Sequence, residues 1–263
     1  MSTLTTPHID VHRGGDRMKT RVAWLDSKHS FSFGEHYDPE NTHHGLLLVN
    51  NEDIVSPGRG FDTHPHRDME IVTWVLSGNL VHQDSLGHSG IIYPGLAQRM
   101  SAGTGILHSE KNDSWRLAPA QGGTDEHVEP VHFVQMWVVP DEPGLNPGYQ
   151  QLEIDAELAG GELVTVASGL PQYRDRTAIA INSSHSALHV ARMPGAADGA
   201  PVTVPEAPYL HLFVARGEIE MEGVGTLYEG DAVRMTRSGG QRVMANSPSE
   251  VLVWEMHARL GAQ

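Results

Sequence analysis

Two short motifs in the first half of the chain have the residue types and spacing of a metal site: His64-Pro-His66 and His108-Ser-Glu110. Side chains at i and i+2 of an extended strand project from the same face, so each motif delivers two donors to one side of a sheet. On neighbouring strands the two pairs bring three imidazole nitrogens and one carboxylate to one point. That set suits iron, manganese, cobalt, nickel, copper or zinc. Four protein donors around a six-coordinate ion leave two positions for water, dioxygen or a bidentate substrate. Glu110 is the only carboxylate of the four and is therefore the candidate to accept a substrate proton. Competing chemistry is missing from the sequence: there is no HExxH, GxSxG elbow, P-loop or GxGxxG after a strand. The absence of cysteine removes thiolate nucleophiles, disulfides and Cys-based metal sites.

The elements that must position these motifs read as strands. Glu70 to Leu76 is rich in β-branched and aromatic residues and ends at a Ser77-Gly78-Asn79 turn. Further strands are expected over Leu80–Asp84, 91–93, 98–101, 106–110 and 131–139, separated by Gly- and Pro-containing turns. His64-Pro-His66 is expected to open the strand that continues to Leu76, and the Gly103-Thr-Gly105 bend to turn the next motif strand towards the metal. The Pro- and Gly-rich stretch 140–148 marks a boundary between residues 1–140 and 141–263. The two parts look duplicated. Val75-Leu-Ser-Gly78 resembles Val214-Ala-Arg-Gly217, and Tyr93 to Met100 matches Tyr228 to Met235 at five of eight positions. The pattern predicts an all-β, antiparallel sandwich or barrel, present twice.

Bulk properties narrow the function classes. The 263 residues include 18 Lys plus Arg against 33 Asp plus Glu, a formal charge of −15, with no dense basic patch. Such a chain is repelled by phosphate backbones, which argues against direct nucleic-acid binding. No apolar run approaches the roughly 20 residues needed to span a bilayer, and the polar stretch 1–17 lacks a signal-peptide core. The expectation is a cytoplasmic protein with no membrane association. Seventeen histidines in such a chain make position the criterion for deciding which ones matter.

The segments Gly60 to Gly78, Met100 to Glu110, His29-Ser-Phe-Ser-Phe-Gly34 and Val131 to Trp137 resemble the pirin family of bicupins, closely over residues 20 to 150 and loosely beyond. The resemblance implies two jelly-roll cupin domains and a single iron in the first. The family's three His and one Glu ligands fall here on His64, His66, His108 and Glu110. Glu70, where many cupins place a ligand, is then replaced by the carboxylate of the HxE pair. Bacterial members resemble quercetin 2,3-dioxygenases, which open flavonols with dioxygen and release carbon monoxide. The implied cofactor is one Fe(II) per chain, and the implied partners are a planar phenolic substrate and dioxygen. A mammalian relative looks like a nuclear transcription coregulator sensitive to its iron state. The alternatives are therefore a non-catalytic redox-sensing regulator acting through a protein partner, or a metal-dependent cupin isomerase.

The remaining candidates are read more plainly. His132 and Gln135 are three apart and face opposite sides of a regular strand, so the readings are ordinary core packing or, for one of them, contact with a ligand. His82 and His88 flank a polar turn and are expected to be solvated. His43 and His44 cannot share a metal on one strand face, and His185, His189, His211 and His257 are expected to be structural. Trp74, Met100 and Phe33 are candidates to line a substrate cavity, against plain core packing, the more frequent place for such residues. Carried through the repeat offsets, the four ligands fall on Thr203, Pro205, Val243 and Ala245. The second domain is therefore expected to lack a metal site.

Overall fold

The structure, a computed structural model, describes residues 6–113, 129–195 and 199–261. It is almost entirely strand. Among the described residues the α-helix is the four-residue Asp155–Leu158, and no helix is long and apolar enough to cross a membrane.

Two seven-stranded and two four-stranded sheets build two barrels. The first large sheet runs, in order, Gly148–Glu153, Leu96–Ser101, Glu70–Ser77, Val131–Val138, Leu47–Val55, Leu25–His29 and Met18–Val22. Its small partner runs Gly60–His66, Ile106–Lys111, Leu80–Asp84 and Ser89–Ile92. The second large sheet is His8–His12, Ala232–Ser238, Ala207–Arg216, Ser249–Met256, Ser186–Met193, Val164–Ser168 and Ile179–Ala180. Its small partner comprises Val202–Thr203, Arg242–Ala245, Glu218–Met221 and Gly225–Tyr228. This is the bicupin architecture expected from the sequence.

The central strands of the first large sheet, Glu70–Ser77 and Val131–Val138, are buried on both faces. In Glu70–Ser77, Val72, Trp74 and Leu76 join a core with Phe213, Leu252 and Trp254 of the second large sheet. The alternate residues Ile71 and Val75 point into the first barrel. Val134, Met136 and Val138 follow the same rule on the neighbouring strand, with Val131 and Phe133 facing inward. The indole of Trp74 donates from Nε1 to Glu250 Oε1 at 2.5 Å, and Trp254 Nε1 donates to Met136 Sδ at 3.2 Å. The two barrels thus share a core across their large sheets.

The duplication is visible in the turns. Gly78 and Gly217 have φ of 76° and 79°, and a Cβ at either would lie within 3.0 Å of backbone atoms of the strand beside it. Both turns therefore require glycine for the same two reasons.

One expectation needs correction. The HxH segment does not continue to Leu76. Gly60–His66 lies in the small sheet and Glu70–Ser77 in the large one, joined by a corner in which Asp68 has φ 49°. Aspartate tolerates this left-handed conformation, and its N–H donates to Gly103 O while its Oδ1 accepts from Gly144 N–H. Two edge strands cross the position 140/141 proposed as the domain boundary. His8–His12 pairs with Ala232–Ser238 of the second barrel, and Gly148–Glu153 pairs with Leu96–Ser101 of the first. Edge pairing decides both positions, and a linker composition carries no information about it. Met100 packs with Ile71 and Ile106, and Trp74 lies in the shared core, so of the two readings weighed for them the plain-core one holds.

Trp74 is fully buried and supports both barrels at once. Trp74→Ala should lower the unfolding free energy by about 3–5 kcal/mol, measured by urea denaturation followed by the fluorescence of the remaining tryptophans.

Candidate metal centre

Strand register assembles the site. In the small sheet His64 and His108 are direct cross-strand partners, and His66 pairs with Ile106. The ladder then shifts between His108 and Glu110, so that Glu110 stands opposite Phe61. Donor atoms of His64, His66 and His108 all lie within 4.8 Å of one another. The closest pair, His64 Nε2 and His108 Nε2, is 3.1 Å apart. Glu110 Oε2 lies 4.0 Å from His108 Nε2, on the buried side of the cluster.

The large sheet supplies the groups that hold Glu110. Gln135 Nε2 donates to Glu110 Oε2 at 2.7 Å, and Thr73 Oγ1 donates to Glu110 Oε1 at 3.3 Å. Trp137 Nε1, which can only donate, reaches Gln135 Oε1 at 3.0 Å. That bond fixes the orientation of the Gln135 amide and turns its NH2 towards the carboxylate. Thr73, Gln135 and Trp137 occupy the inward positions of their strands, between residues committed to the shared core.

Burial, with the neighbouring imidazoles acting in the same direction, holds His66 down at about 4 and His108 at about 3. Both rings are neutral at pH 7, with a lone pair available. His66 Nε2 is buried without a hydrogen-bond partner. An orphaned buried acceptor beside two further imidazoles and a carboxylate is the environment a divalent ion would satisfy. Cis ligands about 2.1 Å from one ion stand about 3.0 Å apart, close to the His64–His108 separation.

Above the cluster lies a cavity of about 820 Å³, within the usual range for small-molecule sites. Trp24, Phe33, Phe61 and Trp137 form much of its wall, and His64, His66 and Glu110 reach its floor. Trp137 meets His66 edge-on at 4.8 Å between ring centroids and Phe33 at 5.6 Å. Asn51 and Asp53 also line it. Asp53 is pushed up to about 7, by burial and then by the negative charge of Glu110, against the lowering effect of Ser27. Its Oδ1 has no hydrogen-bond partner.

Comparison with known proteins agrees with this geometry. The Pirin family model matches residues 12–138. A Mycobacterium tuberculosis protein provisionally named quercetin 2,3-dioxygenase is 58% identical over 97% of this chain and 98% of its own length. Quercetin 2,3-dioxygenase of Escherichia coli K12 is 34% identical over 94% of this chain and 98% of its own. This chain belongs to the pirin family. The crystal structure of the bacterial pirin YhhW from E. coli in complex with nickel(II) superposes with a TM-score of 0.80, at 31% identity, over 95% of this chain and all of that one.

Within this pirin, the sequence reading found the two motif pairs and Phe33, and left the supporting residues incomplete. Of the pair His132 and Gln135, Gln135 contacts Glu110, whereas His132 binds Glu52 on the other face. Thr73, Asn51, Asp53 and Trp137 went unremarked as site residues. The alternation that puts Val72, Trp74, Val134 and Met136 in the shared core would have pointed to Thr73, Gln135 and Trp137. Asn51 and Asp53 carried no comparable signal. His82 was expected to be solvated and is instead fully buried, because Leu80, His82 and Asp84 form the inward face of their strand and the turn begins only beyond them. His88 is partly exposed, as expected of a turn residue. Glu70 is withdrawn from the site and binds Ser101 and Asn182. In the second half, His189 and His257 are tied to Glu255, and Met235 O there is bound by His44 of the first half.

The raised Asp53 ties the site to folding. A carboxyl that ionises near 7 when folded and near 3.8 when unfolded makes the unfolded state bind fewer protons between those values. Metal-free protein should therefore lose stability as pH rises from about 4 to 7. Asp53→Asn, neutral throughout, should remove that fall and unfold at higher urea than wild type at pH 8, with the difference shrinking at pH 4.

Proposed function

We propose that this pirin is a mononuclear metal dioxygenase, with iron as the working metal, that opens a flavonol or similar planar enol-phenol with dioxygen and releases carbon monoxide. The ligand set is His64, His66, His108 and Glu110. The observation that carries the reading is the clustering of three imidazoles, with the hydrogen-bonded carboxylate of Glu110 beside His108, next to an aromatic-walled cavity. The names of the two relatives above, at 58% and 34% identity over nearly full length, support it.

A bound divalent ion would supply Lewis acidity that favours loss of the proton from an enolic hydroxyl, together with redox chemistry towards dioxygen. The protein's own groups perform the rest. Glu110 receives the hydroxyl proton at Oε2, the oxygen nearer His108. Gln135 and Thr73 keep hold of the carboxyl as its charge changes, so it shifts without leaving the site. Trp137 and Phe33, packed edge to face, together with Trp24 and Phe61 offer aromatic surface on which a flat ring system can pack. In the second barrel the corresponding small-sheet strands turn Val202, Val243 and Ala245 inward, into an apolar core. Val202, not Thr203, occupies the inward level there, so the repeat offset of the first strand pair shifts by one residue. The second barrel then contributes to the shared core and not to the chemistry.

Removing ligands tests the set. His64→Ala combined with His108→Ala should lose nearly all metal by elemental analysis, and full occupancy in that double variant would overturn the assignment. Glu110→Gln should keep part of its iron and lose about 10²-fold or more in turnover. Turnover is followed by the decay of quercetin absorbance in air, with carbon monoxide measured as product. If iron-loaded wild type shows no oxygen-dependent decay above free iron, the dioxygenase reading fails and a non-catalytic regulator takes its place.

A further inference from the structure

We infer that His82 and Asp84 form a hydrogen-bonded relay beneath His108 that fixes its tautomer and aim, making both positioning residues of the metal centre. The inference rests on the ligand reading above. His82 and Asp84 sit on the strand Leu80–Asp84, which pairs with Ile106–Lys111 so that Asp84 is opposite His108 and His82 is opposite Glu110. All four side chains therefore share the inward face. The side chain of Asp84 is fully buried and that of His82 nearly so.

The contacts form a chain. His108 Nδ1 lies 3.5 Å from His82 Nδ1, and His82 Nε2 lies 3.4 Å from Asp84 Oδ2. Asp84 is itself fixed at the turn, its Oδ1 accepting the N–H groups of Leu86 and His88 at 2.9 and 3.0 Å and its Oδ2 contacting His88 Nδ1 at 2.9 Å. The ring of Tyr149 covers His82 at 5.0 Å between centroids.

A neutral imidazole has one N–H and one lone pair, and this allows a single direction along the chain. The carboxylate accepts, so the His82 proton is on Nε2 and its Nδ1 is the acceptor. His108 must then carry its own proton on Nδ1, which leaves the Nε2 lone pair facing His64 and His66. That is the nitrogen a metal needs. A hydrogen-bonded partner on the far side of a ligating imidazole both orients the ring and raises its basicity, and burial strengthens the coupling. A turn-capping role accounts for Asp84 Oδ1. It does not account for a buried imidazole placed between that aspartate and a ligand, where leucine would fill the same space with no polar atom to satisfy.

The probe is Co(II), titrated against a chromophoric chelator, with the hyperfine-shifted exchangeable proton of His108 followed by NMR. Wild type should bind one Co(II) and show a slowly exchanging His108 Nδ1–H. His82→Leu removes the acceptor. Asp84→Asn keeps the Oδ1 turn contacts but presents an NH2 to His82, which reverses the relay and opposes two N–H groups. Both should bind Co(II) roughly ten- to a hundredfold more weakly, with the His108 proton lost to exchange, while His82→Gln, which can accept through Oε1, should recover much of the affinity. Wild-type affinity and an unchanged His108 signal in folded His82→Leu and Asp84→Asn would overturn the relay alone. A rapidly exchanging His108 proton in wild type would overturn it without any variant. Failure of wild type to bind Co(II) would instead overturn the ligand reading on which it stands.

Discussion

The site depends on strict alternation along strands whose other face is locked into a core. On Glu70–Ser77 the residues Val72 and Trp74 are buried between the two large sheets, which leaves Thr73 facing the barrel. On Val131–Val138 the residues Val134 and Met136 do the same for Gln135. A slip of one residue would send the polar groups into the shared core and bring tryptophan and methionine to the metal centre. Register is therefore specified by apolar burial, and the hydrogen bonds to Glu110 follow from it.

Electrostatics in this pocket favour neutral nitrogen donors. His66 is held at about 4 by burial, His108 and His64, and His108 at about 3 by burial, His64 and His82. Glu110 keeps two donors of fixed direction, because Trp137 leaves Gln135 no choice of amide orientation. Asp53 beside it is pushed up to about 7, by burial and by the charge of Glu110. Behind the sheet, Glu52 is held down to about 2 by His132, Arg17 and Lys28 together, against its burial. The cavity side and the far side of the same strand thus differ in charge state as well as polarity.

The second barrel packs the same fold with different interior side chains. Its interior is closed by valine, leucine, isoleucine and methionine at the levels where the first barrel has histidines and a cavity. What it contributes is half of a core containing both Trp74 and Trp254. The exchange of edge strands, His8–His12 one way and Gly148–Glu153 the other, ties the two barrels further.

The sequence by itself determined the all-β class, the duplication, and the two motif pairs that meet at His108. It could do so because period-2 spacing and glycine turns are local properties, read within a few residues. It misread whatever depends on which strand lies beside which. The corner at Asp68, supported by Gly103 and Gly144, interrupts a stretch that looked continuous. Gly103 itself is required less by a bend towards the metal than by Leu145, whose carbonyl oxygen would lie 2.1 Å from a Cβ there. His82 looked like a turn residue until the strand pairing put it under His108. Only the tertiary structure decided these, because burial and pairing arise between segments tens of residues apart, and no local pattern records the partner that will cover a given face.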